Sequence, residues 1–520
     1  LNTSSRKYSN AILLIACLFT LKALYLGFYV TPLWDIPDET AHFAYVRDLA
    51  EGRGIPLLGT AKIGSDIMSH MRRAAVSKPA SNIAALHPPV YYFFAAIPLK
   101  AGMIFTKYSE IIFRLPRIIA AISGGLLLLV LYRAIRTLGL EEYKATLLAS
   151  FVSFIPMVSH MSSGTNHDMT LFLFCALTAL FFARFVVQQN VKDAYLSAFW
   201  LTLAGGIKMT AWVLIPPVLF FIGLEMRCPV RYWLKNMIGV FSVSLLVPVM
   251  WMARNVFYFS NPFYTAGNHV SWQLKTPLND TLFEYINKLP VFEHFFLQFY
   301  GILGGGGTGR GVLKWFMIGG VPRSFFSILM LMMMLLIAFF IIFLMCRSFK
   351  TENSAEQEYQ NLLSKIYLFL KPVRKYALIS TFSIAIFFSF AIFMNSFPAS
   401  IIRNLFVVFF VFAGVSASGP LLYEKDLLSR FLLYSMLLCM IFATVLLWEV
   451  YGIYLKDGRL RATQGRYFYP IIPFFIAALS IVVKRFKIPA WLICGLVVAL
   501  AVMELEVFVL QAIPFYLGGY

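Results

Sequence analysis

The sequence predicts an all-α, polytopic membrane protein with about thirteen transmembrane helices and amphipathic helices lying along its external surface. Three observations predict it. Hydrophobic residues make up 60% of the chain against 13% charged, with a mean hydropathy of +0.76, far more apolar than a soluble domain of this length. Apolar runs long enough to cross a bilayer recur from end to end. The short connections between alternate runs concentrate Lys and Arg.

The first run, Ala11 to Thr31, follows Arg6-Lys7 and is not followed by a small-residue cleavage site, so it reads as a retained signal anchor. Further runs begin near residues 111, 145, 168, 193, 208, 233, 323, 376, 401, 430, 466 and 489. The pair near 193 and 208 is the weakest, because Gly205-Gly206 interrupts it ahead of Lys208. If the spans alternate, Arg6-Lys7, Arg133/Arg136/Lys144, Arg184/Lys192, Arg227/Arg231/Lys235, the segment Arg347 to Lys375, Lys425/Arg430 and Lys484/Arg485/Lys487 share one side, which the positive-inside rule makes cytoplasmic. Segments 32–110 and 253–322 then face the exterior or periplasm, as expected for the inner membrane of a bacterium. Nothing reads as a separate soluble domain, so residues 1–520 form a single membrane domain with two long external segments.

The net charge of +20 is dispersed between spans, which suits anionic lipid headgroups or phosphorylated ligands and excludes a continuous nucleic-acid surface. The six cysteines are scattered and none forms a CxxC pair, against a disulfide framework or a zinc ribbon.

Chemistry is concentrated in Asp35-Ile36-Pro37-Asp38-Glu39-Thr40-Ala41-His42, directly after the first span. Three carboxylates and an imidazole at the mouth of a membrane helix are costly unless they meet water, phosphate or substrate. Pro37 suits a first helical turn, where Asp38 and Glu39 would merely complement the helix dipole. Against that, Asp38 and His42 lie four apart on one face, as do Asp35 and Glu39. Arg114, Lys208, Arg254, Arg403 and Arg466 all fall at external ends of spans, where phosphate binding competes with simple snorkelling. Arg466 stands out, since Gln464-Gly465-Arg466-Tyr467 sets polar groups beside an apolar run.

Asn166-His167-Asp168 reads as a polar turn with a helix cap, with a metal or sugar contact as the alternative, and His87 either contacts substrate or ends a surface helix. His269 and His294 read as solvated. The glycine-rich run 301–311 lacks GK[ST] and reads as a mobile lid or disordered loop. External histidines and acids permit a divalent metal, but no ligand spacing demands one, and no other cofactor is implied.

In order, PDETAHF, HPPVYYF, FRLPRIIAAISG, RNVFYFSNPF and QGRYFYPIIPFF resemble the GT-C superfamily of integral membrane glycosyltransferases, in a largely uncharacterised bacterial branch. The resemblance implies transfer of a sugar from a polyprenyl-phosphate donor to a glycan, lipid or protein acceptor at the outer face, by one inverting displacement. It makes Asp38 the candidate base and Glu39 its neighbour in positioning acceptor or metal, with Asp35 still available. His42, His87, Arg114, Lys208, Arg254, Arg403, Arg466 and Tyr467 become candidate substrate contacts, Arg114 matching a phosphate-binding arginine of some members. The alternatives are a lipid-linked polysaccharide polymerase or ligase, and a transporter or flippase of lipid-linked sugars. The WWD signature of oligosaccharyltransferases is missing.

Overall fold

A computed structural model describes residues 3–69, 79–264, 276–289, 302–304, 312–314, 427–460, 465–505, 508–509 and 512–517. The expected spans near 323, 376 and 401, together with Arg403, His269 and His294, lie outside the described residues. The described chain is helical. It divides into two compact units, residues 1–275, 293–315 and 461–520 forming one, and residues 276–292 and 316–460 the other.

In the first unit, α1 (Thr3–Tyr25) runs into a π-helical turn, Leu26–Val30. The acidic motif leads into α2 (Glu39–Ala50), followed by α3 (Ser65–Ser69), α4 (Val90–Phe105) and α5 (Ser109–Arg114). Next come α6 (Arg117–Thr137), α7 (Glu142–Ser150), α8 (Pro156–Ser162), α9 (Asp168–Gln188), α10 (Val191–Gly205), α11 (Ile215–Glu225) and α12 (Val230–Phe259). Local chemistry sets several boundaries. Pro156 opens α8 and Pro116 directly precedes α6, positions where proline's missing N–H costs nothing. Asn190 caps α10 by accepting from the Lys192 N–H at 3.1 Å.

Five described helices are long and apolar enough to cross a membrane: Asn10–Val30, Ser109–Thr137, Asp168–Gln188, Val230–Phe259 and Leu427–Asp457. The protein is an integral membrane protein. The run expected near 145 is a broken span, Glu142–Phe154 and Pro156–Ser162 meeting at 69°. Pro156 is the cause: it has no N–H to continue the ladder, and the chain tightens into a 3-10 turn at Phe151–Phe154 before it. The runs near 193 and 208 are short apolar helices, and α10 does stop at Gly205.

Helix α6 packs between α1 and α9, while α9 also packs on α10 and α10 on α12. Gly125 makes the α1–α6 seam close, because a Cβ there would lie 2.0 Å from Thr20 Oγ1 and 2.9 Å from the Ala16 carbonyl oxygen. Two short antiparallel ladders interrupt the helical fold: β1 (Lys62–Ile63) with β2 (Ala80–Ser81), and β3 (Ile302–Gly304) with β4 (Val312–Lys314). In the second, Ile302 pairs with Lys314 and Gly304 with Val312, while the rest of the glycine-rich run lies outside the described residues.

The chain's later part returns to this unit as α15 (Ile472–Arg485), α16 (Ala490–Leu505) and α17 (Ile513–Leu517). Lys22 of α1 donates to Glu504 of α16 at 2.9 and 2.8 Å and to the Ser153 carbonyl at 2.7 Å. Ser159 donates to the same carboxylate. The ion pair thus meets a carbonyl at the edge of the broken span, where backbone polar groups otherwise lack partners. In the second unit, α13 (Leu282–Lys288) starts with a Thr281/Glu284 capping box, and Asp280 ties Lys288 to Tyr454 of α14 (Leu427–Asp457).

Glu504→Leu strands the Lys22 ammonium and is expected to cost about 3 kcal/mol, whereas adding Lys22→Met recovers most of it. Thermal midpoints of the purified variants in detergent check this, and a double variant no more stable than the single one contradicts it.

Candidate active site

The acidic motif is built outward from one buried ion pair. Glu39 Oε1 accepts from Arg117 Nε and the Thr165 N–H, each at 2.8 Å, and Oε2 accepts from Arg117 Nη2 and the Trp34 N–H, also at 2.8 Å. Arg117 Nη1 donates to the Gly27 and Thr31 carbonyls at 2.5 and 2.9 Å, and Nη2 to the Pro32 carbonyl at 2.8 Å. Every guanidinium N–H and every carboxylate lone-pair direction is therefore used. The structure places Glu39, expected to position acceptor or metal, where with Arg117 it joins the end of α1 to α6 and to the loop ahead of α9. Asp35 is buried, with Oδ2 accepting from Tyr516 at 2.5 Å.

Asp38 is different. It is exposed, it precedes α2 at φ 60°, and its side chain makes no cap hydrogen bond. The helix starts at Glu39, so Pro37 lies ahead of it and not in its first turn. The left-handed conformation is costly for a residue with a Cβ, though aspartate tolerates it better than most. It turns Asp38 away from the dipole-complementing role, and among the described residues no hydrogen bond or ion pair engages its carboxylate.

Behind Asp38 stand three imidazoles. His42 Nδ1 lies 2.8 Å from the Tyr92 hydroxyl, and the His167 ring is 4.6 Å from the His42 ring and 4.5 Å from the His87 ring. Burial pushes the His42 pKa down to about 4, with Lys208 and Arg466 assisting against the opposing pull of Asp38 and Asp168. Burial first, then Lys208, also lowers His87 and His167, so all three rings are neutral at pH 7.

Asp168 is where the cations converge. It opens α9, placed by the Asn166 side chain accepting its N–H at 3.0 Å. Lys208 Nζ donates to Oδ1 at 3.0 Å, and Arg466 Nε lies 3.7 Å from Oδ2. Gly205-Gly206 ends α10 and lets Lys208 turn back, while the Val90 N–H donates to the Gly206 carbonyl at 3.0 Å and ties α4 to this turn. Lys208 also lies 4.7 Å over the Tyr467 ring. Burial alone lowers the Arg466 pKa, but Asp168, with Tyr467 and Asp38, outweighs it and the net shift is upward.

The structure thus brings together Asp38, His42, His87, Lys208, Arg466 and Tyr467. It does not bring Arg114 or Arg254 to Asp168. Arg114 donates to the Gly27 and Thr31 carbonyls at 2.8 and 2.9 Å, and Arg254 donates to the Pro56 carbonyl at 2.9 Å beneath the Trp251 and Tyr258 rings. Asp168, His167, Tyr92 and Arg117 join this arrangement beside the residues expected from the sequence. The signal for Asp168 was its place at the head of an apolar run on the same side as Lys208 and Arg466; a cap alone explains only Asn166. Among the described residues no group of three His, Cys, Asp or Glu side chains could hold a metal ion.

Residues 86–252 match the family model of dolichyl-phosphate-mannose-protein mannosyltransferases, and the resemblance to GT-C glycosyltransferases rests on that match. No curated protein matches the chain. Similar solved structures include the S. cerevisiae Pmt1–Pmt2 protein O-mannosyltransferase complex bound to the sugar donor, at 13% identity and TM-score 0.36, covering 53% of this chain and 36% of that one. The apo oligosaccharyltransferase of Archaeoglobus fulgidus follows at 13% identity and TM-score 0.45, covering 99% and 56%. Apo ArnT of Cupriavidus metallidurans is 14% identical with TM-score 0.35, covering 92% and 77%. The chain therefore spans only about a third to a little over half of the first two.

Glu39→Gln leaves Arg117 without its counter-charge and is expected to destabilise the fold by about 3 kcal/mol or more, read as a lower thermal midpoint. The His42 pKa is about 4 in the folded chain against an ordinary 6.5, so the unfolded chain binds more protons between those values. Stability is then complete above pH 6.5 and falls as pH drops toward 4. A thermal midpoint measured across that window should decline, and His42→Gln should flatten part of the decline; an unchanged slope contradicts the assignment.

Proposed function

We propose that the protein is a membrane glycosyltransferase that moves a hexose or pentose from a polyprenyl-phosphate donor to a glycan, lipid or protein acceptor at the outer face of a bacterial inner membrane. The observation that carries this reading is the pairing of one disengaged, exposed carboxylate, Asp38, with two buried cations, Lys208 and Arg466, around a cluster of neutral imidazoles. The match to dolichyl-phosphate-mannose-dependent enzymes over residues 86–252 supports a lipid-phosphate donor.

The chemistry asks for such a set. As the acceptor hydroxyl attacks the anomeric carbon, its proton passes to Asp38, the carbon–phosphate-oxygen bond breaks, and the departing phosphate gains negative charge. Lys208 and Arg466 meet that charge in a site shielded from bulk water, where electrostatic stabilisation is strongest. Attack from the face opposite the leaving group inverts the anomeric centre. Neutral His42, His87 and His167 can accept or donate hydrogen bonds to sugar hydroxyls without attracting a second phosphate. The choice of Asp38 over Asp35 and Glu39 rests on their other engagements: Glu39 is fixed by four donors, and Asp35 is buried and accepts from Tyr516.

Outward orientation is supported by opposite ends of the same helices. Lys484 of α15 lies 3.4 Å from the Leu138 carbonyl at the end of α6, so the basic loops gather away from Asp38 and Asp168.

Asp38→Asn is isosteric and exposed, so it should leave thermal stability unchanged while lowering transfer from a purified polyprenyl-phosphate sugar by about a hundredfold or more. Mass spectrometry of envelope glycans from a deletion strain identifies the sugar, and complementation by the parent but not by Asp38→Asn completes the test. Normal glycans with Asp38→Asn overturn the base assignment.

A further inference from the structure

Two buried arginines of this unit are used in opposite ways. Arg117 donates all of its N–H groups to the Glu39 carboxylate and three carbonyls. Arg466 is also buried, 7% exposed, but among the described residues its side chain makes a 3.9 Å approach to the Met161 thioether, a 3.7 Å ion pair with Asp168 and a 5.9 Å approach to the Tyr467 ring. Its Nε is buried without a hydrogen-bond partner, as are His167 Nε2 and the Tyr469 hydroxyl beside it. A buried guanidinium with idle donors is costly unless something supplies acceptors part of the time. Lys208, by contrast, is properly bonded to Asp168 at 3.0 Å.

One carboxylate therefore serves two cations, well for one and poorly for the other. A phosphate presents more oxygens over a wider angle and can reach both at hydrogen-bond distance. The N-terminus of α9, which carries Asp168, adds its positive dipole end to the same place.

We propose that Asp168 is a resident counter-anion: donor phosphate displaces it from Lys208 and Arg466, and it recaptures both cations as the spent lipid phosphate leaves. This rests on the donor reading above and adds a role for Asp168 that base catalysis does not need. The exchange keeps the cations charged and converged when the site is empty. It also limits phosphate affinity, since full cation strength is released only when the carboxylate gives way, and so favours product release. Asp168 is a positioning residue and touches no reacting atom.

The test is calorimetric titration of the purified full-length chain with a short-chain isoprenyl monophosphate. Removing the competing charge in Asp168→Asn should tighten binding by roughly tenfold or more and slow turnover of donor while its KM falls. Asp168→Glu, which keeps the charge, should bind like the parent. Asp168→Asn binding equally or more weakly overturns the exchange and leaves Asp168 as a simple support for Lys208. If the parent binds no isoprenyl monophosphate and Arg466→Met changes nothing, the donor reading itself fails. The parent protein also supplies a readout that needs no variant: adding the phosphate should shift a carboxylate stretching band in the infrared difference spectrum, and an unshifted carboxylate region overturns the proposal.

Discussion

The Glu39–Arg117 pair is the contact on which the arrangement of this end of the protein depends. It links four stretches distant in sequence: the π-helical end of α1, the acidic motif, the start of α6 and the turn before α9. Burying two charges is tolerable only because both are completely hydrogen-bonded and neutralise each other. The return is geometric. With Glu39 locked, Asp38 is held one residue earlier at the N-terminal end of α2, in a backbone conformation that a free loop would relax out of.

Among the charged sets described in the first unit, three differ in their degree of saturation. Lys22 and Glu504 sit at the edge of the broken span and complete its hydrogen bonding. Glu39 and Arg117 are saturated at the mouth. Asp168, Lys208 and Arg466 are charged and converged but leave donors unused. In a low-dielectric setting, saturation separates structural pairs from those able to accept a ligand, because only the unsaturated set gains by exchanging partners. Neutral imidazoles between Asp38 and Asp168 let the acid and the cations stand close without a proton already shared between them.

The likeness to mannosyltransferases rests on residues 86–252, which run from His87 through Arg117 and Asp168 to Lys208 and on into α12. Asp38 precedes that stretch and Arg466 follows it. The tertiary structure joins them to it, through α2 packing on α4 and α15 packing on α6 and α9.

Much was legible in the sequence by itself. Uninterrupted apolar runs determine membrane insertion, since an unpaired backbone in hydrocarbon must become helix, and Asp35, Asp38 and Glu39 announce themselves as acids out of place at a span's mouth. Sequence could not rank those three acids, because they are chemically alike and differ only in which distant donor reaches each: Tyr516, Arg117, or nothing. It likewise could not point to Arg117, which opens α6 three residues after Arg114 closes α5, or raise Asp168 above an ordinary cap. Those distinctions are made by contacts between residues 40 to 481 positions apart, and hydrophobic periodicity carries no information about them. Composition decided where the helices go; only their packing decided which charges remain available.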